Sequence, residues 1–325
     1  MKNISSEDIK LLIEIAYMYY DEGAKQSDIG KKYNISRSLV SRYLKKAKEY
    51  GVVEILIHDE LLHPYYELEQ KLKKEFSLKD VICVESADNK LAQKRRVANA
   101  AAKYFLRQLK EFDVVAITGG TTIDEVSNLI AASTNYSNVT FVSMTGGFGG
   151  ETTHIQANII CEKFATKLGA KVEYLYAPVL VDSLEAKNVF ISQTYIKNVL
   201  NTAKNADVLL TGIGGFPSFS TLANAHLDQI LTLTDDQYNN IVGDFCYNFI
   251  DKDGKLIDSE WNDRVITLSI DEVQNIPNVI AVAEGDEKIE SIYASLKAEL
   301  IDVLVTDKTT GSNLLEYLKI RNQEG

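Results

Sequence analysis

The stretch Val114-Val115-Ala116-Ile117-Thr118-Gly119-Gly120-Thr121-Thr122 decides the fold. Four aliphatic residues with no polar alternation mark a strand buried on both faces, as in a parallel sheet. Two glycines then allow a tight turn, and the residues beyond them read as helix. The same grammar recurs along the chain. Val81-Ile82-Cys83-Val84, Val139-Thr140-Phe141-Val142, Val172-Glu173-Tyr174-Leu175, Val208-Leu209-Leu210-Thr211, Val279-Ile280-Ala281-Val282 and Val303-Leu304-Val305 are further expected strands. Amphipathic stretches at 93–109, 155–168 and 288–296 lie between them. The expected class is α/β, a parallel sheet covered on both faces.

In such sheets a ligand sits beyond the carboxyl ends of the strands, and the chemistry-bearing residues fall there. Gly120, Thr121 and Thr122 offer close backbone approach, hydroxyls and a helix N-terminus, a combination suited to an anion. The motif is neither a P-loop nor a dinucleotide fingerprint; an ordinary strand-to-helix turn reads the same way. Gly146 and Gly147 lie in a second glycine-rich turn, followed by a helix carrying Gln156 and Asn158. Asp244 is a lone carboxylate in an apolar loop, placed to accept hydrogen bonds from sugar hydroxyls or to cap backbone. Lys288 falls in the first turn of a helix, where a cation opposes the helix dipole unless an anion neutralises it. A surface lysine is the alternative.

The 325-residue chain has a net charge of −11, which argues against a nucleic-acid partner until its distribution is considered. Residues 25–48 carry eight Lys or Arg against Asp28 alone, so this segment is +7 and the remainder −18. That asymmetry is the footprint of a phosphate-facing surface on an acidic protein, although a solvated helix face would give the same charges. Three helices are expected in this region. Leu12, Ile15, Ala16 and Tyr19 form one stripe before Gly23, and Ile29 lies on a second helix. After Asn34, Ser36 caps a third helix whose apolar face is Val40, Leu44 and Ala47. Its other face carries Arg37, Ser38, Ser41, Arg42 and Lys45, residue types that reach base edges and phosphates in a major groove. With Gln26 at the start of the second helix, these are the expected DNA contacts. Val53, Ile55 and Ile57 read as a bracing strand.

These motifs resemble the SorC family of sugar-responsive regulators, named for the sorbitol operon. The resemblance rests on Ala16-Tyr17-Met18-Tyr19-Tyr20-Asp21-Glu22-Gly23, Ile35-Ser36-Arg37 and Val40-Ser41-Arg42, and extends over most of 80–315 through Gly120-Thr121-Thr122, Gly146-Gly147, Gln156-Ala157-Asn158, Val242-Gly243-Asp244 and Gly285 with Lys288. It implies an effector domain with the fold of ribose-5-phosphate isomerase and glucosamine-6-phosphate deaminase. It also implies phosphate binding near Thr121, Thr122 and Lys288, and hydroxyl recognition near Gln156 and Asp244. Three positions depart from the family. Lys25 replaces a Ser or Thr cap. Thr145 stands where one branch places an imine-forming lysine, which disfavours a covalently held sugar. Glu284 stands where glycine is frequent, adding a carboxylate beside Lys288.

The expected organisation is a helix-turn-helix domain at 1–58, a connector helix at 59–78 and an effector domain at 79–325. The expected function is a cytoplasmic, ligand-gated regulator of a carbohydrate operon. Its partners are double-stranded operator DNA and a sugar or sugar phosphate, and it acts as a homodimer or homotetramer with no membrane partner. No catalytic residue, metal or cofactor is expected: Cys83, Cys161 and Cys246 are widely spaced among apolar residues, and no histidine completes a metal-ligand spacing. A sugar-phosphate isomerase or deaminase is the alternative, weakened by the basic helix-turn-helix and by the lack of a His–carboxylate pair. A constitutive DNA-binding scaffold with a vestigial pocket is a third reading.

Overall fold

The computed structural model describes residues 6–49, 52–53, 64–131, 134–215 and 233–324. Its chain divides into two compact units, Met1–Leu61 and Leu62–Gly325. Ile55, Ile57 and the start of the expected connector lie outside the described residues.

The first unit holds three helices, α1 (Ser6–Tyr20), α2 (Gln26–Lys32) and α3 (Arg37–Glu49). Leu12, Ile15 and Ala16 of α1 are buried with Ile29 of α2 and Val40, Leu44 and Ala47 of α3. The two turns are made by residues with positive φ, Gly23 at +68° and Asn34 at +53°, as their chemistry leads one to expect. Gly30 matters for another reason. A Cβ there would lie 2.8 Å from the Ile35 carbonyl oxygen, so the α2–α3 turn packs onto bare backbone. Ser36 accepts a hydrogen bond from the Leu39 amide at 3.2 Å and so caps α3, whereas Lys25 gives α2 no side-chain cap.

The second unit is a sheet with helices on both faces. Seven strands run parallel in the order β1-β9-β8-β5-β2-β3-β4. They are β1 (Asp80–Val84), β2 (Val114–Ile117), β3 (Thr140–Ser143), β4 (Lys171–Glu173), β5 (Val208–Gly214), β8 (Val279–Val282) and β9 (Val303–Asp307). A hairpin, β6 (Gly243–Phe245) and β7 (Asn248–Ile250), adds antiparallel to the end of β5. The strands inside the edge strand β4 alternate between two cores. Ala116 and Leu209 join one cluster with Val199, Val273 and Ile292; Val115, Ile117 and Leu210 join the other with Val97, Ile123 and Phe164. Continuous aliphatic strands therefore serve both faces, which is why they show no alternation in sequence.

The helix within the expected connector is α4 (Tyr66–Glu75). Its Leu72 is fully buried in the same core as Val81, Cys83 and Leu314, so it is an outer layer of the second unit. The remaining helices that concern the site are α5 (Lys90–Gln108), α6 (Thr121–Leu129), α7 (Ala157–Leu168), α8 (Leu184–Ser192), α9 (Thr194–Lys204), α10 (Asp235–Asn240), α11 (Glu260–Arg264), α12 (Ile270–Gln274), α13 (Ile289–Lys297) and α14 (Lys308–Glu324). Among the described residues, no helix is long and apolar enough to cross a membrane. All three cysteines are free and buried.

Candidate effector cleft and DNA-facing helix

Strand order reverses about β2: the chain moves outward to β3 and β4, then returns to place β5 on the other side. A crevice at such a reversal is where parallel sheets bind ligands. The cleft lies there. It is an open cleft of about 580 Å³, lined by the segment 118–123 after β2, by Thr211 to Gly214 at the end of β5, and by Asp244, Tyr247 and Lys288. Thr118 and Thr211 share a hydroxyl–hydroxyl bond of 3.0 Å across the two strands, forming its floor.

Two glycine loops open into helices at its rim. Gly120 precedes α6 with φ +129° and ψ 156°, and Gly285 precedes the short turn Asp286–Lys288 with φ +107° and ψ 143°. Only glycine adopts such angles readily. Gly119 is needed for space: a Cβ would lie 2.2 Å from the Tyr247 hydroxyl and 2.8 Å from the Ile155 carbonyl. Thr122 is buried and Thr121 half-buried at the start of α6, while Lys288 is half-buried beside the start of α13.

Asp244 is 6% exposed. Its place corrects the expectation of a loop: it sits in β6, paired with Gly214 of β5 and Phe249 of β7. Three-residue strands leave no periodic signal, so sequence periodicity misses them. The β6–β7 turn is unusual. Cys246 and Tyr247 both have positive φ, +51° and +69°, at positions where Asn or Gly is the norm. Asn248 supports the strained turn, its amide nitrogen donating to the carbonyls of Phe245, Cys246 and Leu268. Burial pushes the Cys246 thiol up to about 12, which makes it a neutral wall of the cleft.

The other expected effector residues are placed differently. Gly146 and Gly147 hold the neighbouring chain closely; their Cβ atoms would fall 2.2 Å from the Pro178 carbonyl and 2.3 Å from the Gln156 side-chain oxygen. Asn158 donates to the Leu175 carbonyl at 3.0 Å and accepts from its amide at 2.9 Å. The structure thus brings Gly120, Thr121, Thr122, Asp244 and Lys288 together and leaves Gly146, Gly147, Gln156 and Asn158 outside the lining. Thr145 is fully buried and carries no amine.

One residue escaped sequence reading. Lys94 on α5 donates to the Thr121 hydroxyl at 2.8 Å. Burial pulls its pKa down, partly offset by Glu284. The signal was present: Lys94 lies three and four residues before Val97 and Ala98, which are fully buried, so it borders the inward stripe of its helix. The glycines of Thr211-Gly212-Ile213-Gly214 were legible in the same way, as a glycine-rich strand end.

On α3, Arg37, Ser38, Ser41, Arg42 and Lys45 are all exposed on the face opposite Val40, Leu44 and Ala47. Gln26 is half-buried at the start of α2. Ser36 is exposed too, its hydroxyl engaged by the cap and by a 2.9 Å bond with Ser38.

Comparison with known proteins agrees with this architecture. Residues 62–316 match the family model described as "Putative sugar-binding domain". The chain is 28% identical to the sorbitol operon regulator of Klebsiella pneumoniae, over 96% of this chain and 99% of that one. It is 31% identical to the central glycolytic genes regulator of Bacillus subtilis, over 76% and 71%. The full-length crystal structure of the sorbitol operon regulator SorC from Klebsiella pneumoniae superposes with a TM-score of 0.70 at 25% identity, covering 96% of this chain and all of that one. A DeoR family transcriptional regulator from Listeria monocytogenes gives a TM-score of 0.70 at 30% identity, over 76% and 98%. Sequence and fold converge, and the chain belongs to the SorC family, whose members carry this sugar-binding domain.

Proposed function

We propose that the chain is a cytoplasmic, DNA-binding transcriptional regulator of a carbohydrate-utilisation operon, controlled by non-covalent binding of a sugar or sugar phosphate. One observation carries the reading: a cleft of hydroxyls, one cation and one carboxylate shares the chain with a separately packed helical unit that exposes Arg37, Ser41, Arg42 and Lys45. Phosphate is held by Thr121, Thr122 and Lys288, with Lys94 behind Thr121. Asp244 accepts from sugar hydroxyls. Catalysis is not favoured. Among the described residues lining the cleft, Asp244 is the one carboxylate and no histidine accompanies it, so those residues supply no acid–base pair of the kind an isomerase uses.

The DNA-facing residues are Gln26 and the exposed face of α3, with Ser36 as its cap. A homodimer or homotetramer presents two such helices to half-sites one helical turn apart. Effector and DNA affinities are coupled reciprocally, by the same factor in each direction. The test is titration of the full chain with DNA from upstream of its own gene, with and without each sugar phosphate that raises its melting temperature. Salt-dependent, sequence-selective binding that shifts with ligand supports the reading. DNA affinity indifferent to every stabilising ligand would overturn it.

A further inference from the structure

A second cavity adjoins the cleft. It is an open cavity of about 910 Å³ lined by Lys90, Gln93, Lys94, Glu284 and Glu287 together with Thr121 and Lys288, the last two shared with the cleft. Two of its buried side chains carry an atom without a partner. Gln93 is 9% exposed. Its Oε1 accepts from the Ala87 amide, which fixes the amide's orientation and leaves Nε2 a donor with no acceptor. Glu284 is 8% exposed, and its Oε2 has no donor. Buried polar atoms are rarely left so.

One kind of group answers both atoms. A hydroxyl donates to Glu284 and accepts from Gln93, whereas an ionised phosphate only accepts. The surrounding charges agree. Lys90 is held by Glu287 at 2.8 Å, and Lys94 is bonded to Thr121 at the edge of the cleft. Lys94 and Lys288 also face this cavity, but both serve the phosphate assigned to Thr121 and Thr122, so among the described residues a second phosphate beside Glu284 finds no cation left for it.

We propose that this cavity is a hydroxyl subsite of the effector site, and that Glu284 restricts the effector to a single phosphate. The proposal rests on the phosphosugar reading of the cleft. Its ligand is a sugar or polyol monophosphate whose far hydroxyl lies between Glu284 and Gln93.

The test is calorimetric titration of the full chain with inorganic phosphate and two matched pairs, fructose 6-phosphate with fructose 1,6-bisphosphate and glucose 6-phosphate with glucose 1,6-bisphosphate. The tighter-binding monophosphate is expected to exceed its bisphosphate by roughly tenfold, a repulsion by Glu284 that the nearby Lys94 and Lys288 moderate. Glu284→Gln should narrow that gap to about threefold or less without weakening inorganic phosphate. Gln93→Met should weaken the monophosphate by about tenfold, again without touching inorganic phosphate. The two variants alter different side chains of the cavity, so a folding defect in one, seen as a lowered melting temperature without ligand, leaves the other decisive. A bisphosphate bound as tightly as its monophosphate, or a gap that Glu284→Gln does not change, overturns the subsite alone. Failure of inorganic phosphate and every sugar phosphate to bind overturns the reading of the cleft as well.

Discussion

The ammonium of Lys94 donates to the hydroxyl of Thr121 at 2.8 Å, placing a half-buried cation at the N-terminus of α6. A cation there opposes the helix dipole and loses solvation. Both costs are removed when an anion arrives, so the arrangement suits a site that waits for phosphate.

Replacing Lys94 by Met should therefore separate stability from binding. Burial lowers the Lys94 pKa, so the unfolded chain holds this proton more tightly than the folded one. Unliganded stability then rises with pH, from the lowered value up to the ordinary 10.5, as the folded form sheds an unfavourable charge. Lys94→Met should raise the melting temperature near neutral pH, flatten that rise, and weaken phosphate-bearing ligands by roughly tenfold. Melting curves across pH and a ligand titration check both halves. A lower melting temperature together with unchanged binding would assign Lys94 to packing.

Gly214 and Asp244 are locked by shape. A Cβ on Gly214 would lie 1.7 Å from a carboxylate oxygen of Asp244. Gly214→Ala must push the carboxylate aside or spread β5 from β6, with an expected destabilisation of about 1–3 kcal/mol. Sugar affinity should fall more than inorganic-phosphate affinity, because the displaced group is the hydroxyl acceptor. Parallel titrations with the two ligands decide this.

Asn158 offers a contrast between two roles. Its side chain is committed to both backbone groups of Leu175. Asn158→Leu should lower stability by about 1–3 kcal/mol through unpaired backbone, measured by urea denaturation. Retained effector affinity in this variant would confirm a supporting role; lost affinity at unchanged stability would make it a contact, as the family resemblance implies.

In the helical unit, Ser36→Ala removes the cap of α3 and should cost about 1 kcal/mol of its stability. Arg37→Ala and Arg42→Ala should instead leave melting nearly unchanged. Each that touches a phosphate should lower DNA affinity and reduce the salt slope by about one. Binding measured at several salt concentrations separates the cap from the contacts.

Much of this was legible because the strongest signals are local. All seven expected strands occur within a few residues of the runs that announced them; those inside the edge strand β4 are legible because a doubly buried strand must be largely aliphatic. The α3 face was legible from its charge and spacing. Three features were not. The hairpin carrying Asp244 has strands of three residues, below any periodic signal. The order of strands, which juxtaposes β2 with β5 across 93 residues, is a property of packing. Gly146, Gly147 and Asn158 take part in close backbone packing, which selects the same small and polar residues as a sugar would, so sequence does not separate the two roles.

Gly285 is held at the cleft by a hydrogen bond from its amide to Thr310, whose hydroxyl in turn donates to Asp307 at the head of α14. Further along that helix Gly311 allows Leu72 of α4 to approach, its missing Cβ falling 3.1 Å from a Leu72 methyl. The loop beside Lys288 and the helix that directly follows the DNA-facing unit in sequence are thus clasped to one turn of α14. One turn of α14 therefore serves as a common anchor: its hydroxyl fixes the loop at the ligand cavity and its bare backbone seats the first helix of the sensor.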